Sequence, residues 1–141
     1  MSGVATYDRS GVSVSSAGDI NGDGFADVIV GTIGADANGT YSGAAYVVFG
    51  SASAPAANVQ LSSLDGSNGF KISGDVAYGF AGCSVSSAGD VNGDGLADLL
   101  IGARGTAYAS PSPSGAAYIV FGKTSGFAAD VHLSSLTEIG R

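Results

Sequence analysis

Oxygen-bearing side chains recur at the same spacing in two nine-residue segments of this chain. The first segment covers residues 19–27 and the second covers residues 90–98, and both read D-x-N-G-D-G-x-x-D. Carboxylate or amide oxygens therefore stand at positions one, three, five and nine of each segment. Calcium is a hard cation that takes about six to eight oxygen ligands at about 2.3–2.6 Å. The two segments therefore predict two bound Ca²⁺ ions per chain.

The other positions of the two segments suit a loop that curls around an ion. Position six is glycine, Gly24 or Gly95, and glycine permits the positive φ that a tight curl needs. Position seven, Phe25 or Leu96, offers a backbone carbonyl, and water would complete the ligand shell. Without a metal ion, the three carboxylates of each loop would repel one another.

The first six positions match an EF-hand loop, but the rest of each segment does not. An EF-hand loop ends with a bidentate Glu at position twelve, where this chain has Val30 and Ile101 in apolar runs. Asp27 and Asp98, at position nine, would then complete the shell. Magnesium prefers more water, and transition metals prefer His or Cys clusters. Two alternatives stay open: ordinary Asn-Gly and Asp-Gly turns, or a metal that only pins one strand to the next.

A larger repeat contains both segments. Residues 13–19 return as residues 84–90, which lie 71 positions later. Residues 43–50 return as residues 115–122, now 72 positions later. A repeat of this length predicts one structural unit that occurs twice.

Each unit predicts four β-strands, near residues 11–18, 26–32, 43–50 and 69–74 in the first copy. The second and third are continuous apolar runs, which indicates strands covered on both faces. Frequent glycines and β-branched residues argue against helices. Small residues in the first strand and bulky ones later suit a radial sheet. The predicted fold class is all-β, with two four-stranded β-propeller blades per chain.

The alignment of the two units places the chain ends inside a strand. Residues 1–141 divide into a first blade at about 11–81 and a second at about 82–141 plus 1–10, whose fourth strand is interrupted by the chain ends. Two sheets alone would expose broad apolar faces. We therefore expect copies to join head to tail as a homo-oligomer and close a propeller. Rings of about four to eight blades allow a dimer, trimer or tetramer, and we favour the six-bladed trimer.

The charge distribution excludes several other classes of partner. The net charge is −7, and six of the twelve acidic residues lie in the two segments, so the acidity points to cations. No basic patch exists that could neutralise phosphates, so nucleic-acid binding is not expected. No apolar run is long enough to enter a membrane, and no signal peptide precedes the repeats. Cys83, the one cysteine, aligns with Val12 and is expected to be a small buried hydrophobe.

The run S-V-S-S-A-G-D-x-N-G-D-G-x-A-D, followed by an apolar strand and glycine, resembles the FG-GAP repeat family. This family forms the blades of the integrin alpha-subunit propeller and of many bacterial surface and secreted proteins. The resemblance covers nearly the whole chain and implies an extracellular or cell-surface location. It also implies calcium in the loop between the first two strands of each blade. The implied ligands are Asp19, Asn21, Asp23, the Phe25 carbonyl and Asp27 for one ion, and Asp90, Asn92, Asp94, the Leu96 carbonyl and Asp98 for the other.

The remaining residues argue against an enzyme. His132 is the one histidine and aligns with Gln60, and no G-x-S-x-G nucleophile motif occurs. The leading hypothesis is a calcium-stabilised structural or adhesion module with a protein or glycan partner. The alternative is a carbohydrate-binding propeller with pockets between its blades. The aromatic side chains expected at such pockets are Tyr41, Tyr46, Tyr108 and Tyr118.

Overall fold

A computed structural model describes residues 1–53, 58–105 and 115–136 of the chain. The first unit contains β1 (Ser10–Gly18), β2 (Asp27–Thr32), β3 (Ala44–Val48) and β4 (Gly69–Ser73). The second unit contains β5 (Ala81–Gly89), β6 (Asp98–Ala103), β7 (Ala116–Val120) and β8 (Asp130–His132). Single 3-10 turns cover Leu61–Ser63 and Leu133–Ser135. Among the residues that the structure describes, no helix has the length and apolar character needed to cross a membrane.

The strands of each unit form an antiparallel meander in chain order. β1, β2, β3 and β4 pair in sequence in the first sheet, and β5, β6 and β7 pair in the second. The strand limits match the sequence predictions to within about two residues, and the all-β class is confirmed. Val14 pairs with Val30 and Ser15 with Ile29, so neighbouring residues of a strand face opposite sides of the sheet.

A fifth strand joins the first sheet, which the sequence did not predict. β8 belongs to the second unit, yet it runs parallel to β4 and pairs with residues Lys71, Ile72 and Ser73. The Lys71 N–H donates to the Ala129 carbonyl at 2.8 Å. This pairing covers an edge of β4 that would otherwise present free backbone groups.

The same contact occurs in reduced form at the start of the chain. Ser2 forms a parallel bridge with Gln60, and these residues align with Ser73 and His132 of the β4–β8 pair. In both places the contact has the same two partners. One is a residue that occupies the fourth-strand position of a unit, Ser2 or Ser73, and the other is the equivalent residue of the next segment, Gln60 or His132.

The main hydrophobic core lies between the two sheets. One face of the first sheet contributes Ile29 and Phe70, and the facing side of the second contributes Leu99 and Ile101. The Phe70 ring stacks on Phe127 with centroids 4.2 Å apart. A smaller cluster covers the other face of the first sheet, where its members are Val30, Ala35, Ala44, Tyr46 and Leu61. The apolar runs of the first unit are therefore packed on both faces at most positions, as predicted, although Val28 is exposed.

The first strands of the two units approach each other closely because their residues are small. The Ser13 hydroxyl donates to the Gly82 carbonyl at 2.7 Å. A Cβ atom on Gly31 would overlap that same carbonyl oxygen. Cys83, in β5, is half-buried rather than fully buried, and its thiol donates to the Gly102 carbonyl with the sulfur and oxygen 3.5 Å apart.

Candidate metal-binding loops

The two carboxylate-rich segments connect the first and second strands of their units. The first loop (residues 19–27) starts directly after β1 and ends as β2 begins, and Gly18 pairs with Asp27 across its base. The second loop (residues 90–98) joins β5 to β6 in the same way, and Gly89 pairs with Asp98. The position predicted for the loops, between the first two strands, is therefore the one observed.

Position one holds each loop in its curled form. The Asp19 carboxylate accepts backbone N–H groups from Gly22 at 2.8 Å, Asp23 at 3.1 Å and Gly24 at 2.9 Å. Gly22 and Gly24 have φ values of +77° and +88°, a conformation that favours glycine. The positive φ predicted for the glycine at position six is confirmed.

Positions three and five lie beside this carboxylate. The Asn21 side-chain oxygen accepts the Asp23 N–H at 3.2 Å, and the Asn21 amide donates to the Asp23 carboxylate at 3.1 Å. Asp23 in turn accepts the Phe25 N–H at 2.9 Å. Local hydrogen bonds therefore bring the side chains of positions one, three and five to the same part of the loop.

The second loop repeats these contacts almost without change. Asp90 accepts N–H groups from Gly93 at 2.8 Å, Asp94 at 3.0 Å and Gly95 at 2.8 Å. The Asn92 amide donates to Asp94 at 3.2 Å. The same local sequence thus produces the same curl twice, in loops with different surroundings.

Position nine differs from the other acidic positions because it is buried. The two oxygens of Asp27 accept the N–H groups of Ile20 and Gly50, each at 2.9 Å. Asp98 accepts those of Val91 at 2.8 Å and Gly122 at 2.9 Å. Each aspartate therefore ties its loop to the glycine two residues after the third strand.

This tying role was absent from the sequence prediction, which treated Asp27 and Asp98 as ligands only. The available signal was the glycine after the third strand, which recurs as Gly50 and Gly122. Burial of Asp27 raises the pKa of its carboxyl, and the nearby carboxylates of Asp23 and Asp19 add to that rise. The carboxylates of Asp19 and Asp23 are thus close enough to disfavour a negative charge on Asp27.

The loops supply the ligand types that calcium prefers. Each offers carboxylates at positions one, five and nine and an amide oxygen at position three, and neither contains nitrogen or sulfur ligands. Hydrogen bonds within each loop hold the curl. In the described ranges, no three side chains of the His, Cys, Asp or Glu type approach closely enough to hold a metal ion. The ligand assignment stays a prediction. The oxygen ligands suit Ca²⁺, and a divalent cation would offset the repulsion among the three carboxylates of each loop.

The first loop also contacts the second unit. The Asp19 carbonyl accepts the Ala97 N–H at 3.2 Å, and the Ile20 carbonyl accepts the Lys123 N–H at 3.0 Å. Ile20 is buried, whereas Val91, which aligns with it in the second loop, is exposed. The first loop is therefore part of the contact between the two sheets.

An open cavity of about 550 Å³ lies elsewhere on the first unit, next to the residues that join β2 to β3. Two of the predicted aromatic residues, Tyr41 and Tyr46, line it, together with Tyr7, Asp8 and Asp36. Tyr41 is exposed, while burial raises the pKa of Tyr46 to about 12.

The other two predicted aromatic contacts lie apart from this cavity or outside the described residues. Tyr118 packs at the border of the main core. Tyr108 is not among the residues that the structure describes. Tyr7, which the sequence analysis did not select, joins the cavity because the chain before β1 passes beside the β2–β3 connection.

His132 forms a polar clasp between the two units. Its Nδ1 lies 2.9 Å from the Asp75 carboxylate, which also accepts the Ser134 N–H at 2.9 Å. Its Nε2 lies 3.6 Å from Asp130, and Asp130 accepts the Ser73 hydroxyl. The hydrogen bond that His132 makes to Asp75 raises the pKa of His132, and the charge of Asp130 raises it further.

Antiparallel meanders packed face to face, with small first strands in close contact, define the blades of a β-propeller. The FG-GAP repeat model matches residues 10–48 and 84–120, which contain both loops and the first three strands of each unit except the start of β5. The chain therefore belongs to the FG-GAP repeat family.

Integrin alpha subunits are among the proteins that this chain resembles. Integrin alpha-M of Mus musculus is 32% identical over 102 residues, covering 70% of this chain and 8% of the integrin. Integrin alpha-E of Mus musculus is 35% identical over 112 residues, covering 72% and 8%. Integrin alpha pat-2 of Caenorhabditis briggsae is 36% identical over 101 residues, covering 69% and 7%. The chain thus spans less than a tenth of the length of these relatives.

Proposed function

We propose that this chain is a calcium-stabilised structural or adhesion module that acts outside the cell and does not catalyse a reaction. The observation that carries the proposal is the repeated loop, in which the same oxygen-rich side chains are held in the same curl at two places. The adhesive part of the proposal, and the location, rest on the likeness to integrin alpha subunits.

Each loop would hold one ion through its own residues. In the first loop these are the side chains of Asp19, Asn21, Asp23 and Asp27 with the carbonyl of Phe25, and in the second they are those of Asp90, Asn92, Asp94 and Asp98 with the carbonyl of Leu96. A bound Ca²⁺ supplies positive charge that offsets the repulsion among three carboxylates. Because each loop joins the first strand of a unit to the second, the ion would pin these strands together.

The polar groups of the described residues favour a structural role over catalysis. His132 faces Asp75 and Asp130, and the Ser73 hydroxyl donates to Asp130 instead of to the imidazole. The arrangement therefore lacks a serine that a neighbouring base could activate.

Calcium stoichiometry tests the proposal. Metal analysis after equilibrium dialysis against Ca²⁺ should find two ions per chain. Asp23→Ala and Asp94→Ala should each remove one ion, because position five carries a carboxylate of its own loop. Asp65→Ala is the matched control, since Asp65 also accepts an N–H two residues ahead, that of Ser67, but lies outside both loops. Two ions in both loop variants would refute the assignment.

The cavity supports a second function, the binding of carbohydrate. Tyr41 stacks on Phe80 with the ring planes 13° apart, so the orientation of its ring is held by a neighbour. Aromatic faces suit the C–H faces of sugars, and the carboxylates of Asp8 and Asp36 suit hydroxyl groups.

A glycan array compares the two functions directly. The carbohydrate function predicts binding by the wild-type chain that Tyr41→Ala abolishes. Phe25→Ala is the control, because Phe25 is an aromatic side chain of similar exposure, 41% against 42% for Tyr41, and does not line the cavity. No bound sugar for the wild-type chain would remove this second function.

A further inference from the structure

Equivalent apolar residues of the two units differ in exposure according to the sheet face that they occupy. In the first unit, Val14 is 67% exposed and Val28 is 37% exposed. Their equivalents in the second unit, Val85 and Leu99, are 9% and 0% exposed. We call this side of each sheet its forward face. The forward face of the first unit is therefore free around Val14 and Val28, while Val30 and Tyr46 on the same face are buried in the smaller cluster. The equivalents of Val14 and Val28 in the second unit are covered.

The opposite side of each sheet, its rear face, shows the reverse pattern. Ile20 and Ile29 of the first unit are both 0% exposed. Their equivalents in the second unit, Val91 and Leu100, are 51% and 39% exposed. Ala45 and Ala117 follow the same rule, since the first is buried and the second exposed. The rear face is therefore covered in the first unit and free in the second.

The contact inside the chain explains both patterns. The forward face of the second sheet, with Val85 and Leu99, shares one core with the rear face of the first, with Ile20 and Ile29. Each chain thus has one forward face and one rear face already joined, and one of each kind left free. The exposed apolar residues of the free faces, Val14, Val28, Val91 and Leu100, align with buried apolar residues of the joined faces.

The backbone contacts of the internal interface have free equivalents too. The Ile20 carbonyl accepts the Lys123 N–H, and Ser13 donates to the Gly82 carbonyl. By alignment, the Val91 carbonyl would accept the Ser51 N–H of another chain. Ser84 would likewise donate to the Gly11 carbonyl of that chain.

We propose that a second copy of this chain docks its free forward face, centred on Val14 and Val28, against the free rear face, centred on Val91 and Leu100. The two surfaces differ, so the contact runs head to tail and leaves each dimer with one free face of each kind. Association then continues until the ring closes. Closed propellers of about four to eight blades correspond to two to four copies.

Two charge substitutions test the docking. Val14→Asp places a carboxylate in the forward face and Leu100→Asp places one in the rear face, and both side chains are exposed in the single chain. Light scattering should give the wild-type chain a mass of two to four chains, and each variant a mass of one chain. Val76→Asp is the control, because Val76 is exposed but lies in the connection between β4 and β5, and its mass should match that of the wild type.

Mixing the variants distinguishes this docking from nonspecific association. An equimolar mixture of Val14→Asp and Leu100→Asp retains one intact pair of faces, so it should form a species of two chains and stop there. A wild-type mass of one chain, or a mixture that stays at one chain although both variants are folded by circular dichroism, would overturn the proposal.

Calcium content measured on the same samples separates this proposal from the function proposed above. A one-chain mass with two bound ions contradicts only the docking. An assembled chain without calcium contradicts only the metal assignment.

Discussion

The aspartate at position nine of each loop has two roles: it is a proposed metal ligand, and it accepts backbone hydrogen bonds inside the protein. Both oxygens of Asp27 accept backbone N–H groups inside the protein, from Ile20 and Gly50. Asp23, at position five, is exposed and bonds only to residues of its own loop. The two positions therefore differ in how much the fold depends on them without metal.

Substitution by asparagine separates these roles. Asp27→Asn replaces one accepting oxygen by an NH₂ group that faces a buried N–H donor, and such an unsatisfied group costs about 1–3 kcal/mol. We expect this loss of unfolding free energy in excess chelator, measured by urea denaturation. Asp23→Asn is the matched control and should cost much less under the same conditions. Equal losses would show that position nine has no structural role of its own.

The loops illustrate what local sequence determines. The spacing of acidic residues and glycines predicted the position of each curl and the positive φ at position six, because those contacts join residues at most five positions apart. The contact between Asp27 and Gly50 joins residues 23 positions apart and depends on the pairing of β2 with β3. Its partner could not be read from the loop itself.

At the scale of the elements, the strand limits followed from apolar runs, but the pairing of β8 with β4 did not. β8 is only three residues long, and its first residue, Asp130, accepts the hydroxyl of Ser73, which lies 57 positions earlier in the chain. Its polar clasp also uses His132, where the other unit has Gln60. Alignment of the two units therefore showed that His132 replaces Gln60, but it did not show that His132 contacts Asp75 and Asp130.

The clasp should make stability depend on pH. The pKa of His132 is raised in the fold, so its contribution is complete below the unfolded value of about 6.5 and is lost as pH rises through the folded pKa. Desolvation alone would raise the pKa of Asp75, but hydrogen bonds from His132 and Ser134 outweigh it and lower the pKa. The contribution of Asp75 is therefore present above its ordinary value of 3.8 and lost as pH falls.

Melting temperatures measured in saturating calcium test the clasp. Between pH 6 and pH 8.5 the melting temperature of the wild-type chain should fall more than that of His132→Gln, which installs the residue found at the equivalent position of the first unit. The difference should be small, because the imidazole is partly exposed. Identical profiles for both proteins would mean that the clasp does not contribute.

At the scale of the whole molecule, the proposed metal sites and the packing of the sheets are connected. The Asp19 and Ile20 carbonyls of the first loop accept N–H groups of the second unit, so a disordered first loop would also weaken the contact between the sheets. The sequence predicted face-to-face blades from the family resemblance, whereas the depth at which the first loop is held between them required the structure.

Removal of calcium should therefore destabilise the entire chain. Excess chelator should lower the melting temperature of the wild-type protein, because an ion that binds only the folded state stabilises it by an amount that grows with the ratio of free ion concentration to dissociation constant. The double variant Asp23→Ala with Asp94→Ala is the control, since it has no site left to empty and should melt at the same temperature with or without chelator. A wild-type melting temperature that chelator leaves unchanged would argue against structural calcium.

The pairing of β8 with β4 gives the architecture a polarity. The strand that covers the edge of the first sheet belongs to the following repeat, so the two repeats overlap in the structure. A repeat added after an existing one brings the strand that covers the edge of the existing sheet. A repeat added before an existing one must instead have a fourth strand whose edge can pair with the covering strand of that existing repeat. Engineers who cut or lengthen such arrays should therefore place their junctions by this overlap and not by the limits of the sequence motif.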